Sequence, residues 1–176
     1  MSPRRETVLL LGFGNPGRLD DGLGPALAAQ VELLGLPGMT VQSDYQLCLE
    51  DAEAAARHDV VIFADAATSG VEPFSFRRVV PVASVGFSTH SLQPEQVLGL
   101  AHRLFGARTD GYTLGIRGYA FNEYEESLTE QGKANLAAAV AFIREAHEQG
   151  SFIELPAMGP ASGQATTSVD TVTSRT

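Results

Sequence analysis

The segment VLLLGFGNPGRLDDGLGPALA, residues 8–28, carries the strongest local signals for the fold. Its first part is a short, continuous apolar run ending in glycines, which is typical of a strand buried on both faces of a parallel sheet. Its last part begins a helical face with spacings of four, four and three residues, formed by Leu23, Leu27, Val31 and Leu34. The stretch therefore predicts a buried strand over 7–13, a glycine-rich turn and an amphipathic helix over 22–35.

Strand-like and helix-like runs continue to alternate along the chain. The predicted strands are 39–45, 59–67, 74–82 and 111–121, and the predicted helices are 49–58, 94–106 and 127–150. Strands that alternate with helices favour a parallel sheet covered by helices on both faces. We therefore predict an α/β fold, a three-layer α/β/α sandwich with a mostly parallel, twisted sheet of about five strands. The run 74–82 has a polar alternate face, which is typical of an edge strand.

Composition limits the classes of function. The chain has 176 residues and a net charge of −9, so nucleic acids and anionic membrane surfaces are poor partners. Its one cysteine, Cys48, allows neither an internal disulfide nor a cysteine-rich zinc site. The apolar run near the N-terminus is too short for a signal peptide or a membrane span, so we expect a cytoplasmic protein.

The last part of the chain differs in composition from the rest. Beyond Pro156 the sequence is small and polar, with almost no large apolar side chains. Such a segment buries too little surface to offset the entropy lost on ordering. We predict one α/β domain over 1–155 and a flexible polar tail over 156–176.

The glycine turn permits more than one interpretation. Gly12, Gly14 and Gly17 have the spacing of a dinucleotide-binding loop, but two carboxylates follow where the pyrophosphate would lie, and they would repel it. The letters GFGNPG also resemble the opening of peptidyl-tRNA hydrolases. RLDDGLG then replaces the histidine-containing stretch of that family, and the acidic charge suits a tRNA ligand poorly.

A third interpretation takes the acidic residues as the functional groups. Asp21 follows the first strand, Asp65 ends the run VVIFAD, and His90 precedes the helix that starts near Pro94. The carboxyl ends of parallel strands meet at one edge of a sheet, so two carboxylates and an imidazole could converge there. Such a set can bind a divalent transition metal with positions left open. The structural alternatives are that Asp20 or Asp21 caps the first helix and that His90 is a polar loop residue.

The order of these motifs resembles the nickel–iron hydrogenase maturation endopeptidases. That family opens with a strand, Gly-x-Gly-Asn, a spacer, a pair of acids and Gly-x-Gly, matched by LGFGNPGRLDDGLG. A strand ending in Asp-Ala follows, matched by VVIFADAA, and then a loop of the type Ser-x-His, matched by STHSLQ. LGIRGYAF and ESLTEQGKANL match later elements, so the resemblance runs from about residue 8 to residue 148.

The resemblance implies an activity and a partner. The family cleaves a C-terminal extension from the precursor of the hydrogenase large subunit after nickel insertion. Its catalytic and metal-contacting positions fall on Asp21, Asp65 and His90. The nickel would be supplied by the substrate, and no tightly held metal of the protein's own is expected. The sequence leaves open whether nickel or a carboxylate activates the attacking water.

The resemblance has one clear departure. Many relatives carry Asp-Gly-Gly-Thr after the second strand, where this chain has SDYQLCLED, residues 43–51, and this segment is expected to contact the precursor. Two alternatives to a protease stay open. One is a non-catalytic chaperone or binding module for the large subunit, and the other is a nucleotide-binding α/β protein.

Overall fold

The computed structural model describes residues 5–83 and 91–158. They form a five-stranded sheet of β1 (Val8–Phe13), β2 (Met39–Asp44), β3 (Val60–Ala67), β4 (Phe74–Arg78) and β5 (Asp110–Arg117). The strand order is β2-β1-β3-β5-β4, in which β4 alone is antiparallel and forms an edge. Four helices complete the fold: α1 (Leu23–Leu34), α2 (Leu49–Ala56), α3 (Pro94–Phe105) and α4 (Glu130–Gln149). The predicted α/β class, the mostly parallel sheet and the edge position of the fourth strand are confirmed.

The sheet has a buried face on each side, which explains the continuous apolar run of β1. Val8 and Leu10 pack with α1 and α4 on one face. Leu9 and Leu11 pack with α2 and α3 on the other. Successive residues of a strand point to opposite faces, so a strand between two helical layers needs apolar residues at every position.

Three predicted boundaries differ from the observed ones by three residues or more, and a polar contact explains each. β4 ends at Arg78 because the chain then turns toward α3, where the Val82 N–H donates to the Glu95 carbonyl. β5 ends at Arg117, after which the Gly118 N–H donates to the Ala67 carbonyl and the chain leaves the sheet. α4 begins at Glu130 because its N-cap is Thr129, whose hydroxyl accepts a hydrogen bond from the Gly132 N–H at 3.0 Å.

The connections create a crevice between β1 and β3. From β1 the chain crosses one face through α1 to β2, and from β2 it crosses the opposite face through α2 to β3. The strand order therefore reverses between β1 and β3, and open α/β sheets bind their ligands at such a point. α1 approaches closely here, since a Cβ on Gly24 would lie 2.3 Å from the Phe13 carbonyl oxygen and 2.5 Å from that of Ala64.

The beginning of the predicted tail contacts the edge strand. Met158 and Phe76 form an antiparallel bridge with two N–H···O distances of 2.9 and 2.8 Å. Residues 159–176 lie outside the described part of the chain, so the domain boundary at 155 stays a prediction. Within the described residues, no helix has the length and apolar character needed to cross a membrane.

Candidate active site at the carboxyl ends of β1 and β3

Asp21 is held by the turn that follows β1. Its Oδ2 accepts a hydrogen bond from the Asn15 N–H at 3.1 Å, while Asn15 Oδ1 accepts from the Gly17 N–H at 2.9 Å. Gly14 has a φ of 137°, and a Cβ there would lie 2.2 Å from the Asp21 carbonyl oxygen, so glycine is required. Asn15 therefore braces the turn, and the turn presents the half-buried carboxylate of Asp21.

The N–H groups of this turn already have protein acceptors. Side chains accept from Asn15 and Gly17. Backbone carbonyls accept from Gly14, Arg18, Leu19, Asp20 and Asp21. A pyrophosphate binds to a dinucleotide loop through free N–H groups at the helix N-terminus. The hydrogen bonding of this turn therefore argues against the nucleotide-binding alternative, although its glycines have the spacing of a dinucleotide-binding loop.

Asp65 lies near the carboxyl end of β3 and is half-buried. Its Oδ1 accepts a hydrogen bond from the Ala66 N–H at 2.7 Å. Burial raises the pKa of Asp65 from 3.8 to about 6, and the negative charge of Asp21 contributes to the rise, against the opposing effect of the Ala66 N–H. Asp65 lies near the end of β3, the strand next to β1, which leads into the turn of Asp21, and a nearby carboxylate raises a pKa in this direction.

The raised pKa of Asp65 has a consequence for stability. Between pH 3.8 and about 6 the folded state binds more protons than the unfolded state, so this carboxyl lowers stability as the pH rises through that window. Asp65→Asn removes the charge and keeps an acceptor for the Ala66 N–H. We expect its melting temperature to exceed that of the wild type at about pH 7.5, with the difference vanishing below about pH 4. A melting temperature below that of the wild type at the higher pH would contradict this account.

Asp20 has a different environment from its neighbour. It is fully buried, and its oxygens accept hydrogen bonds from the Tyr119 N–H at 2.8 Å, the Thr129 N–H at 2.8 Å and the Thr129 hydroxyl at 2.7 Å. A Cβ on Gly132 would lie 2.6 Å from Asp20 Oδ1, so the helix backbone approaches this carboxylate closely. Asp20 therefore joins the turn after β1 to the start of α4.

The predicted alternative in which Asp20 or Asp21 caps α1 is wrong. The N-cap of α1 is Gly22, so no side chain caps this helix. Asp20 instead binds Thr129 at the N-terminus of α4, where a negative charge is favoured by the helix dipole. The chain turns just before the two acids at Leu19, whose φ of 49° is unusual for a residue with a Cβ. The Leu19 N–H is held by the Glu125 carbonyl at 2.9 Å.

Comparison with known proteins identifies the fold. HycI, a [NiFe] hydrogenase maturation protease from Thermococcus kodakarensis KOD1, matches with a TM-score of 0.63 and 23% identity, over 81% of this chain and 94% of its own. The hydrogenase maturating endopeptidase HybD from E. coli matches with a TM-score of 0.59 and 21% identity, over 86% and 96%. The chain has the fold of the [NiFe] hydrogenase maturation proteases. No protein-family model matches the sequence, and no curated protein matches it.

His90, the third residue predicted for the site, lies outside the described residues. Residues before and after this segment are hydrogen-bonded to the rest of the fold. The Leu92 N–H donates to the Leu47 carbonyl at 3.1 Å, and the Val82 N–H donates to the Glu95 carbonyl. Within residues 5–83 and 91–158, no three His, Cys, Asp or Glu side chains are placed to hold a metal ion. Of the three predicted site residues, Asp21 thus follows β1 and Asp65 lies near the end of the neighbouring strand β3.

The other histidines have structural partners. The imidazole of His58 is bonded to Thr40 at 3.0 Å, that of His102 to the Thr109 carbonyl at 2.7 Å, and that of His147 to the Pro37 carbonyl at 2.8 Å. Cys48 is the N-cap of α2, and burial raises the pKa of its thiol to about 11. A thiol with that pKa is protonated at neutral pH and is a poor nucleophile.

Proposed function

We propose that this protein is an endopeptidase that removes the C-terminal extension from the nickel-loaded precursor of a [NiFe] hydrogenase large subunit. The observation that carries the proposal is a fold shared with hydrogenase maturation proteases, in which Asp21 follows β1 and Asp65 lies near the end of the neighbouring strand β3. The satisfied N–H groups of the turn support the same conclusion, since they favour a loop that presents carboxylates over one that binds phosphates.

The proposed roles follow from the chemistry of the side chains. Asp21, Asp65 and His90 contact the nickel that the substrate brings, so they act as sensors of nickel insertion. Two carboxylates and an imidazole suit a divalent transition metal and leave positions open for the substrate. The protein holds no nickel tightly in this proposal, because the metal belongs to the precursor.

Asp65 also has the properties of a general base. Its pKa of about 6 lies close to neutral pH, where a carboxylate can accept a proton from water and later release it. In one route the substrate's nickel polarises the scissile carbonyl, and in the other a carboxylate deprotonates the attacking water. Both routes need Asp65 ionised at the start, so the rate of processing should fall as the pH drops below about 6.

The proposed partner and location follow from the substrate. The partner is the large-subunit precursor, nucleic acid and membranes are not partners, and the reaction takes place in the cytoplasm.

The test is to incubate the purified protein with the precursor encoded by the same organism and to follow the mass of the precursor. Loss of a C-terminal peptide supports the proposal. A stable complex without cleavage would replace it with a non-catalytic binding module.

A further inference from the structure

A shallow groove of about 310 Å³ lies beside the turn that carries Asp21. Pro16 and Gly22, which belong to the turn that carries Asp21, line the groove, and its walls are largely apolar. Pro25, Ala29, Glu126 and Leu128 also line it. The groove therefore lies between the turn that carries Asp21, the first part of α1 and the segment before α4.

The apolar surface continues beyond the groove along α1. Leu33 lies one helical turn after Ala29 on the same face of the helix and is 88% exposed. In the segment before α4, Tyr124 is 86% exposed, with the Arg18 guanidinium 5.5 Å from its ring centroid. Large apolar side chains that remain exposed next to a concave apolar surface are typical of interaction sites.

The charge around the groove is negative. The segment 119–132 carries four glutamates and no lysine or arginine. Among the described residues, Glu123 and Glu126 take part in no ion pair, while Glu130 is bonded to Lys133. Arg18 lies over the ring of Tyr124, and Lys133 is occupied by Glu130. A partner with basic side chains would therefore be attracted to the rim.

We propose that this groove binds an extended segment of the polypeptide substrate, next to the scissile bond, that carries apolar and basic side chains. The inference rests on the proposed function, because the groove begins at the turn of Asp21. Apolar side chains would pack between Pro25 and Leu128, and basic side chains would lie against Glu126. Such contacts hold the substrate without taking part in bond cleavage, so they determine its affinity.

A charge-matched pair of variants tests the groove. Ala29→Arg places a bulky cation in the groove, whereas Ala137→Arg places the same charge at an exposed alanine of α4 that does not line it. The probe is a short fluorescein-labelled peptide of alternating leucine and arginine, measured by anisotropy. We expect Ala29→Arg to weaken its binding by about tenfold and Ala137→Arg by less than about twofold. Equal effects of the two variants would overturn the proposal.

Further measurements test the charge of the groove and the identity of its occupant. Glu126→Gln keeps the size of the side chain and removes its charge, so we expect binding of the same peptide to weaken by about threefold. A peptide of alternating leucine and glutamate should not bind, and binding of equal strength would overturn the proposal. A wild-type dimer in sedimentation that Ala29→Arg dissociates would also overturn it, because the occupant would then be a second copy of this chain.

Processing of the full precursor separates this inference from the proposed function. We expect Ala29→Arg to raise the KM by about tenfold with kcat retained, as for the loss of uniform binding. Cleavage with an unchanged KM would overturn the proposal that the groove binds substrate, while the proposed protease activity would stand. Absence of cleavage by the wild type, with peptide binding still dependent on Ala29, would overturn the protease and support the groove.

Discussion

Asp21→Asn and Asp65→Asn are expected to lower the rate of precursor processing by at least about a thousandfold while the protein stays folded. Each substitution keeps an oxygen acceptor for the N–H that the carboxylate binds, that of Asn15 or of Ala66. The charge is lost, and with it the metal contact and any general-base role. His90→Ala is expected to have an effect of the same order, which also tests the residue outside the described part of the chain.

The control for this prediction is an acid at the opposite end of the sheet. Asp110 begins β5 and is paired with Arg78, far along the strand from the carboxyl ends where Asp21 and Asp65 lie. Asp110→Asn should process the precursor at the wild-type rate. Processing at the wild-type rate by the Asp21 and Asp65 variants, measured by intact mass over time, would remove the proposed active site.

Asp20→Ala is expected to lower the free energy of unfolding by about 3 kcal/mol or more, because it leaves several buried donors without an acceptor. The N–H groups of Tyr119 and Thr129 and the hydroxyl of Thr129 would lose their partner in a site that excludes water. For a chain of this length that loss corresponds to a fall in melting temperature of about 6–12 °C.

The neighbouring residue provides the matched control for Asp20. Asp21 is half-buried and binds a single N–H of the same turn, so Asp21→Ala should change the free energy of unfolding by less than about 1 kcal/mol. Urea unfolding of the two variants measures the difference directly. Equal stabilities for Asp20→Ala and Asp21→Ala would show that the buried hydrogen bonds of Asp20 do not join the turn to α4.

Much of the fold was predictable because its signals are local. The apolar run of β1, the glycine turn and the periodicity of α1 lie within residues 8–34, and each follows from side-chain spacing. The position of Asp65 near the end of β3 was predictable for a related reason, since it follows a local apolar run. An acid at such a position needs a polar partner or a functional role.

The different roles of the two adjacent acids were not predictable. Asp20 is bonded to Tyr119 and Thr129, which follow it by 99 and 109 residues. No local pattern shows which of two consecutive carboxylates will be buried, because the choice depends on the turn at Leu19 and on the position of α4. The end of β5 at Arg117 depends in the same way on a contact with the distant residue Ala67.

The groove beside α1 was also missed. Its apolar side chains belong to α1 and to the segment before α4, which are separated by about a hundred residues in sequence but adjacent in the fold. Ala29 and Leu33 are compatible with a helix, but nothing in the local sequence shows that their side chains remain exposed. A helix with apolar residues outside its buried face is the sequence signal that could have indicated this surface.

The central claim is that the protein cleaves its partner only after nickel insertion. The direct test mixes the wild type with the nickel-loaded large-subunit precursor and, in parallel, with the nickel-free precursor, and compares intact masses before and after. We expect loss of a C-terminal peptide from the nickel-loaded form alone. Cleavage of both forms would contradict the sensing role of Asp21, Asp65 and His90, and cleavage of neither would contradict the protease itself.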